Sequence, residues 1–229
     1  MPDVQFETSA GSKPGYLAAP AGERGPATIV LQEWWGVDSH IRSICDRFAN
    51  EGFFALAPDL YGGETADQPD EAQQLMMAMS MDQVEHEMCG AAKHLQSLDG
   101  FEGSGVGSVG FCLGGGLSVW AAAACSEIAA SVSFYYVLPR GKPDFSRVGG
   151  PVLAHFAGED QFISLDESKT LEDEMRGAGV DVRSHTYEGV GHAFFNDTNR
   201  LGTYDREAAE LAWRRTVEFL RGALLGGGS

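Results

Sequence analysis

The residues with the most evident chemistry lie in Gly110-Phe111-Cys112-Leu113-Gly114-Gly115-Gly116. The segment reads as strand, sharp turn and helix with a thiol at the apex, the G-x-C-x-G form of a nucleophile elbow. Glycine at 110 and 114 lets strand and helix close up around Cys112, and the helix N-terminus offers unpaired N–H groups that should favour a thiolate. The plain alternative is chance: the chain has 30 glycines, and a free cysteine is usually a small buried hydrophobe. Two further residues weigh against chance. Asp160 follows Gly158-Glu159, and His192 follows Gly189-Val190-Gly191, each just past the end of a strand-like segment. Nucleophile, acid, histidine is a chain order used by hydrolytic triads on alternating β/α scaffolds. A thiolate attacks a carbonyl carbon, the histidine carries protons to and from the leaving group, and the carboxylate fixes the imidazole tautomer. Glu159 competes for the acid role, but the turn before Asp160 presents the latter towards the strand top. His155 and His185 lie inside strand-like runs and His40, His86 and His94 on helical ones, which leaves His192 in a glycine-flanked loop.

These residues need a scaffold, and the chain supplies alternating strands and helices. Strand-like segments are Val4 to Thr8, Tyr16 to Ala19, Ala27 to Gln32, Phe53 to Ala57, Val106 to Phe111, Ile128 to Tyr136, Pro151 to Ala157 and Val182 to Tyr187. Helices are expected after Asp38 or Ser39, from Leu75 to Leu98, over Leu117 to Cys125, over Leu165 to Arg176, and after Asp205. Glu64 to Gln73 and Arg140 to Arg147 read as loops. This order predicts a mainly parallel sheet with helices on both faces, in a single domain over 1–225 with a flexible tail at 226–229. In such sheets ligands bind at the carboxyl ends of the strands, where Cys112, Asp160 and His192 all fall.

Composition narrows the partners. A formal net charge of −17 argues against nucleic acid and anionic membrane, and no segment is apolar for long enough to span a bilayer. The N-terminus lacks a basic region followed by an apolar run, so a cytoplasmic location is expected. Cys45, Cys89, Cys112 and Cys125 form no C-x-x-C pair, which suggests neither a disulfide framework nor a zinc site. No nicotinamide fingerprint or phosphate loop is present. No cofactor or metal is expected, and the oligomeric state is expected to be a monomer or a weak homo-oligomer.

The motifs Gln32-Glu33-Trp34-Trp35-Gly36-Val37, Pro58-Asp59-Leu60-Tyr61, Gly110-Phe111-Cys112-Leu113-Gly114-Gly115, Gly158-x-Asp160 and Gly191-His192-Ala193-Phe194 together resemble the dienelactone hydrolase (carboxymethylenebutenolidase) family over nearly the whole chain. The resemblance implies an α/β-hydrolase fold and hydrolysis of a small ester or lactone through an acyl-cysteine. Cys112, His192 and Asp160 would form the triad, Glu33 would hold or accept the thiol proton, and the backbone N–H groups of Leu113 and Trp34 would bind the oxyanion. A carboxylate at the end of a buried strand must be paired or protonated, so a structural ion pair between Glu33 and Arg42 is the competing reading. Trp35, Tyr61, Tyr135, Phe194 and Asn196 are expected to line the substrate site, although aromatics at strand ends are also packing residues. Two other functions stay open: a broader acyl or thioester hydrolase with the same triad, and a non-catalytic binding protein on this scaffold.

The resemblance has a gap that bears on substrate. Relatives that act on dienelactone bind its carboxylate with arginines, one of them four residues after the catalytic histidine. Here that position is Asn196, and the stretch from Tyr61 to Leu138 holds no arginine, only Lys93. Unless Arg200 swings in, a carboxylated lactone loses charge-assisted contacts, and neutral substrates are expected.

Overall fold

The computed structural model describes residues 3–138 and 141–226. Eight strands form one sheet: β1 (Asp3–Thr8), β2 (Gly11–Ala18), β3 (Ala27–Leu31), β4 (Phe54–Pro58), β5 (Val106–Phe111), β6 (Ile128–Phe134), β7 (Val152–Ala157) and β8 (Val182–Tyr187), in the order β1-β2-β4-β3-β5-β6-β7-β8. The first two pairings, β1 with β2 and β2 with β4, are antiparallel, and the rest are parallel. Every residue of β3, β4, β5 and β7 is buried, as expected of parallel strands covered on both faces.

Six helices supply that cover: α1 (Ser39–Asn50), α2 (Pro69–Ala78), α3 (Met81–Gln96), α4 (Leu113–Ala124), α5 (Leu165–Gly177) and α6 (Arg206–Leu225). On one face α1 and α6 pack Ile41, Ile44, Phe48, Trp213, Val217 and Leu220 against Val30, Val109 and Val132. On the other, α3 and α4 pack Met88, Leu95 and Leu117 against Ile29, Leu56 and Val106. The caps read from sequence hold: Asp38 accepts the N–H groups of His40 and Ile41, and Asp205 that of Ala208.

Three expectations change. The segment Glu64 to Gln73 is helical from Pro69, because Glu71 accepts the Gln68 N–H at 3.2 Å and proline suits the first turn. The helical stretch expected from Leu75 to Leu98 breaks at Met79 and Ser80, both of extended backbone, into α2 and α3. Cys89 and Cys125 are disulfide-bonded, joining α3 to the end of α4, whereas the sequence suggested no disulfide. Their partnership is set by helix packing over 36 residues of separation, which spacing alone does not reveal. The tail at 227–229 and the start of the loop at Arg140 lie outside the described residues.

Candidate active site

Cys112 sits between β5 and α4 with φ 55° and ψ −115°, a conformation that costs a non-glycine residue about 1–3 kcal/mol. The surroundings hold it there. Its N–H donates to Phe134 O at 3.1 Å, and its carbonyl accepts from Gly115, Gly116 and Val137 at 2.9, 3.3 and 3.1 Å. The glycines have the steric role expected of them: a Cβ on Gly110 would lie 1.8 Å from Gly114 O, and one on Gly114 would lie 2.2 Å from Leu31 O.

At the ends of β7 and β8 two loops bring Asp160 and His192 together. The Asp160 oxygens lie 3.0 and 2.8 Å from His192 Nδ1, and Oδ1 also accepts the N–H groups of Phe162 and Ile163 at 2.8 and 3.2 Å. The carboxylate therefore orients both the imidazole and the turn that follows. Glu159 plays no part in this grip; its N–H donates to Val190 O instead. The imidazole packs against the rings of Tyr135 at 4.9 Å and Phe162 at 4.6 Å, and Thr203 Oγ1 donates to the His192 carbonyl. Its Nε2 is buried and has no hydrogen-bond partner among the described residues, so it remains available to a thiol, a leaving group or water.

Glu33, only 2% exposed at the end of β3, accepts from Tyr135 Oη at 3.1 Å and from Asn196 Nδ2 at 2.6 Å. Arg42 is elsewhere, paired to Asp3 at 2.7 Å, so the expected alternative of a Glu33–Arg42 ion pair is not formed. The Cys112 thiol is pushed well above the usual cysteine range, first by burial and then by the charge of Glu33; a hydrogen bond from the Leu113 N–H opposes this without prevailing. The thiolate expected from the helix N-terminus is thus overruled, and the resting group is a thiol.

The expected lining residues divide. Tyr61 Oη donates to Trp34 O at 3.2 Å, and burial, then the nearby Cys112, pushes the Tyr61 phenol upward. Trp35 instead packs with Ala66 and Ala72 under the following loop. Tyr135 and Phe194 are fully buried and Asn196 is 4% exposed. They support Glu33 and the His192 loop from behind. Arg200 does not swing in: it donates to Ala66 O at 3.0 Å, lies 3.5 Å from Asp38 and from Asp67, and covers the Trp35 ring at 4.8 Å. Two residues have roles that the sequence reading did not assign, although Gln32 stands in the Gln32-Glu33 motif. Gln32 Oε1 accepts the Leu60 N–H at 3.1 Å, tying the end of β3 to the turn after β4, and Phe162 covers the imidazole. The only sequence signals were the place of Gln32 beside Glu33 and of Phe162 two residues after Asp160.

Cavities of about 560 and 480 Å³ flank this rim, one beside Tyr61 and Glu87, the other beside Phe162 and Leu138. Among the described residues no cluster of three or more histidine, cysteine or acidic side chains is arranged to hold a metal ion.

Residues 14–224 match the model of the dienelactone hydrolase family. The chain belongs to that family. Among its relatives, Protein usf of Aquifex pyrophilus is 39% identical over 225 residues, covering 95% of this chain and 96% of the relative. A protein of Aquifex aeolicus, provisionally named a carboxymethylenebutenolidase, is 36% identical with the same coverage. A crystal structure from Klebsiella pneumoniae, provisionally described as a dienelactone hydrolase, superposes with a TM-score of 0.84 at 27% identity, covering 95% of this chain and 96% of that one. The fold is accordingly the α/β-hydrolase fold, and the chain is a dienelactone-hydrolase-like hydrolase of the ester and lactone class, acting on a small molecule. No helix among the described residues is long and apolar enough to cross a membrane.

Proposed function

We propose that this family member hydrolyses small neutral esters or lactones through an acyl-cysteine at Cys112, with His192 and Asp160 completing the triad. The observation that carries the reading is the Asp160 grip on His192 Nδ1, which leaves the buried Nε2 without a partner among the described residues. Asp160 fixes the tautomer, as the chemistry requires.

The thiol proton passes to Glu33 and the sulfur attacks the carbonyl carbon. The N–H groups of Leu113 and Trp34 receive the oxyanion. As the tetrahedral intermediate collapses, the carbon–oxygen bond breaks; Glu33 gives up its proton to His192 Nε2, and the imidazolium so formed delivers it to the leaving oxygen, which restores the carboxylate and the neutral imidazole. In the second half His192 takes a proton from water, whose oxygen displaces the cysteine, and the thiolate recovers that proton from the imidazolium. A thiol that rests protonated limits off-pathway alkylation and oxidation, which proceed through the thiolate.

Neutral substrates are favoured because the position four residues after His192 holds a neutral amide, and both it and the nearby arginine are otherwise engaged. Asn196 is committed to Glu33, and Arg200 to Ala66, Asp38 and Asp67. Each missing charge-assisted contact weakens a carboxylated substrate by about 1.5–3 kcal/mol. The test pairs a chromogenic acetate ester with intact-mass detection of the acyl-enzyme. Wild type should show a transient 42 Da adduct (about the mass of one acetyl group, by the acyl-enzyme logic of covalent catalysis) on the peptide holding Cys112. Turnover in Cys112→Ala near the wild-type rate would end this proposal.

A further inference from the structure

We propose that the cavity between the Phe162 turn and the Val137-Leu138 segment receives the apolar alcohol half of the substrate ester. The assignment rests on the acyl-cysteine reading above and adds to it a place and a direction for one part of the substrate. The cavity holds about 480 Å³; Val137, Leu138, Phe162, Ile163 and Leu171 give it an apolar wall, and Lys142, Glu167 and Thr170 also line it. That size and the apolar wall suit a small organic group.

Direction comes from the histidine. In acyl transfer the histidine returns a proton to the departing oxygen, so the alcohol half must lie on the His192 side of the scissile bond. Tyr135, fully buried, closes the interior side of the imidazole, while Phe162, itself 57% exposed, covers it from outside. The Phe162 backbone is held by the same Asp160 carboxylate that orients the imidazole, which fixes the cavity wall to the proton donor. The Val137 N–H donates to Cys112 O, so the opposite wall is fixed to the elbow.

A second, independent feature points to a ligand. Tyr136 lines this cavity, and its hydroxyl is buried with no hydrogen-bond partner among the described residues. A buried donor left unpaired is costly, and an ether or hydroxyl oxygen on the bound group would satisfy it.

The experiment measures kcat/KM for ethyl, butyl and hexyl acetate, and for ethyl butanoate and hexanoate as the matched acyl series. This constant reports acylation, the step in which the alcohol departs. Each fully buried methylene multiplies it by about fourfold, so a wild-type rise of roughly tenfold or more from ethyl to hexyl acetate is expected for partial burial. Thr170→Trp, which adds bulk at the cavity edge on α5, and Phe162→Ala, which removes a wall, should each bring the hexyl-to-ethyl ratio close to one. Tyr136→Phe should lower the rate on 2-propoxyethyl acetate, whose ether oxygen replaces a methylene of hexyl acetate, by more than it lowers the rate on hexyl acetate. A flat alcohol series in an enzyme that hydrolyses ethyl acetate, or an alcohol dependence untouched by both variants, overturns the cavity assignment. A rise in the acyl series that Thr170→Trp abolishes overturns the direction. Ethyl acetate hydrolysis that survives Cys112→Ala overturns the acyl-cysteine reading instead.

Discussion

Asn196 donates its side-chain amide to Glu33 at 2.6 Å from the position four residues after His192. Its own Oδ1 accepts from the N–H and hydroxyl of Thr198 at 3.0 and 2.6 Å, so the amide is fixed in orientation. With Tyr135 on the other oxygen, Glu33 has two neutral donors and, among the described residues, no cation paired with it. Neutral donors position the carboxylate without cancelling its charge, and that charge helps to keep the Cys112 thiol protonated.

Glu33→Gln should therefore move two thiol reactions in opposite directions. Removing the charge lowers the thiol pKa, and a shift of about one unit raises alkylation by iodoacetamide near pH 8 about tenfold. Acylation by an ester should slow, because the amide cannot accept the thiol proton. Stopped-flow acylation and alkylation rates on one preparation make the comparison. If both rates fell or both rose together, Glu33 would be a brace and not a base.

The clamp on Glu33 also predicts a stability effect. Tyr135→Phe and Asn196→Ala each leave a buried carboxylate oxygen short of a donor, at a cost of about 1–3 kcal/mol. Urea unfolding should show the loss in each variant. In the Glu33→Ala background neither partner has an acceptor to lose, so the two substitutions should cost less there, a coupling that a double-mutant cycle reads directly.

A third expectation concerns pH and a histidine outside the triad. His155, fully buried in β7, sits 3.1 Å from Thr216 Oγ1 through Nε2 and 2.9 Å from Tyr187 Oη through Nδ1. Burial, and then the nearby His185 and Arg215, hold its pKa well below the usual range. In the unfolded chain it binds a proton near pH 6.5. The stability gained by keeping it neutral is complete above that pH and is lost as the pH falls, with a limiting slope of about 1.4 kcal/mol per pH unit. His155→Gln should be less stable at pH 7.5 yet show a shallower loss between pH 6.5 and 5 by up to one proton. Equal slopes in the two proteins would mean that other groups carry the acid sensitivity.

How much of this was legible in the sequence follows from how local each cause is. The strands flanking Cys112, the elbow and the helix caps at Asp38 and Asp205 depend on neighbours within a few residues. They stand as read. Asp160 and His192 were legible because both end parallel strands, and β7 and β8 are adjacent in the sheet. What escaped depends on pairing across the fold. Phe194 and Tyr135 look like rim aromatics in the chain, but positive φ at Tyr135 and at Ala193 turns the backbone so that both rings enter the core. Arg200 looks free to move until Asp38, Asp67 and Trp35 are seen around it. The thiolate expected at a helix N-terminus failed because burial and Glu33, 79 positions away in sequence, outweigh the adjacent N–H.

The Cys89–Cys125 disulfide carries the last prediction. It ties the middle of α3 to the cap of α4, the helix that begins at the elbow, and closes a loop of 36 residues. In the chain-entropy picture a loop of that length stabilises the fold by about 3–4 kcal/mol through its effect on the unfolded state. The bridge lies at the far end of α4 from Cys112, and the buried contacts of α4 with β5 and β6 remain without it, so reduction should leave the elbow geometry in place. The expected result is a lower melting temperature in dithiothreitol, matched by Cys89→Ala without reductant, with kcat/KM at 25 °C within about twofold of the oxidised protein, the size of a surface-level perturbation. Thiol counting under denaturing conditions supplies the control: two free thiols, from Cys45 and Cys112, before reduction and four after it. Four thiols in the untreated protein would show that the bridge does not form in the preparation, and an unchanged melting temperature despite two would show that it contributes nothing to stability. A large loss of activity on reduction, with the melting temperature preserved, would instead mean that α3 and α4 transmit the state of this bridge to Cys112.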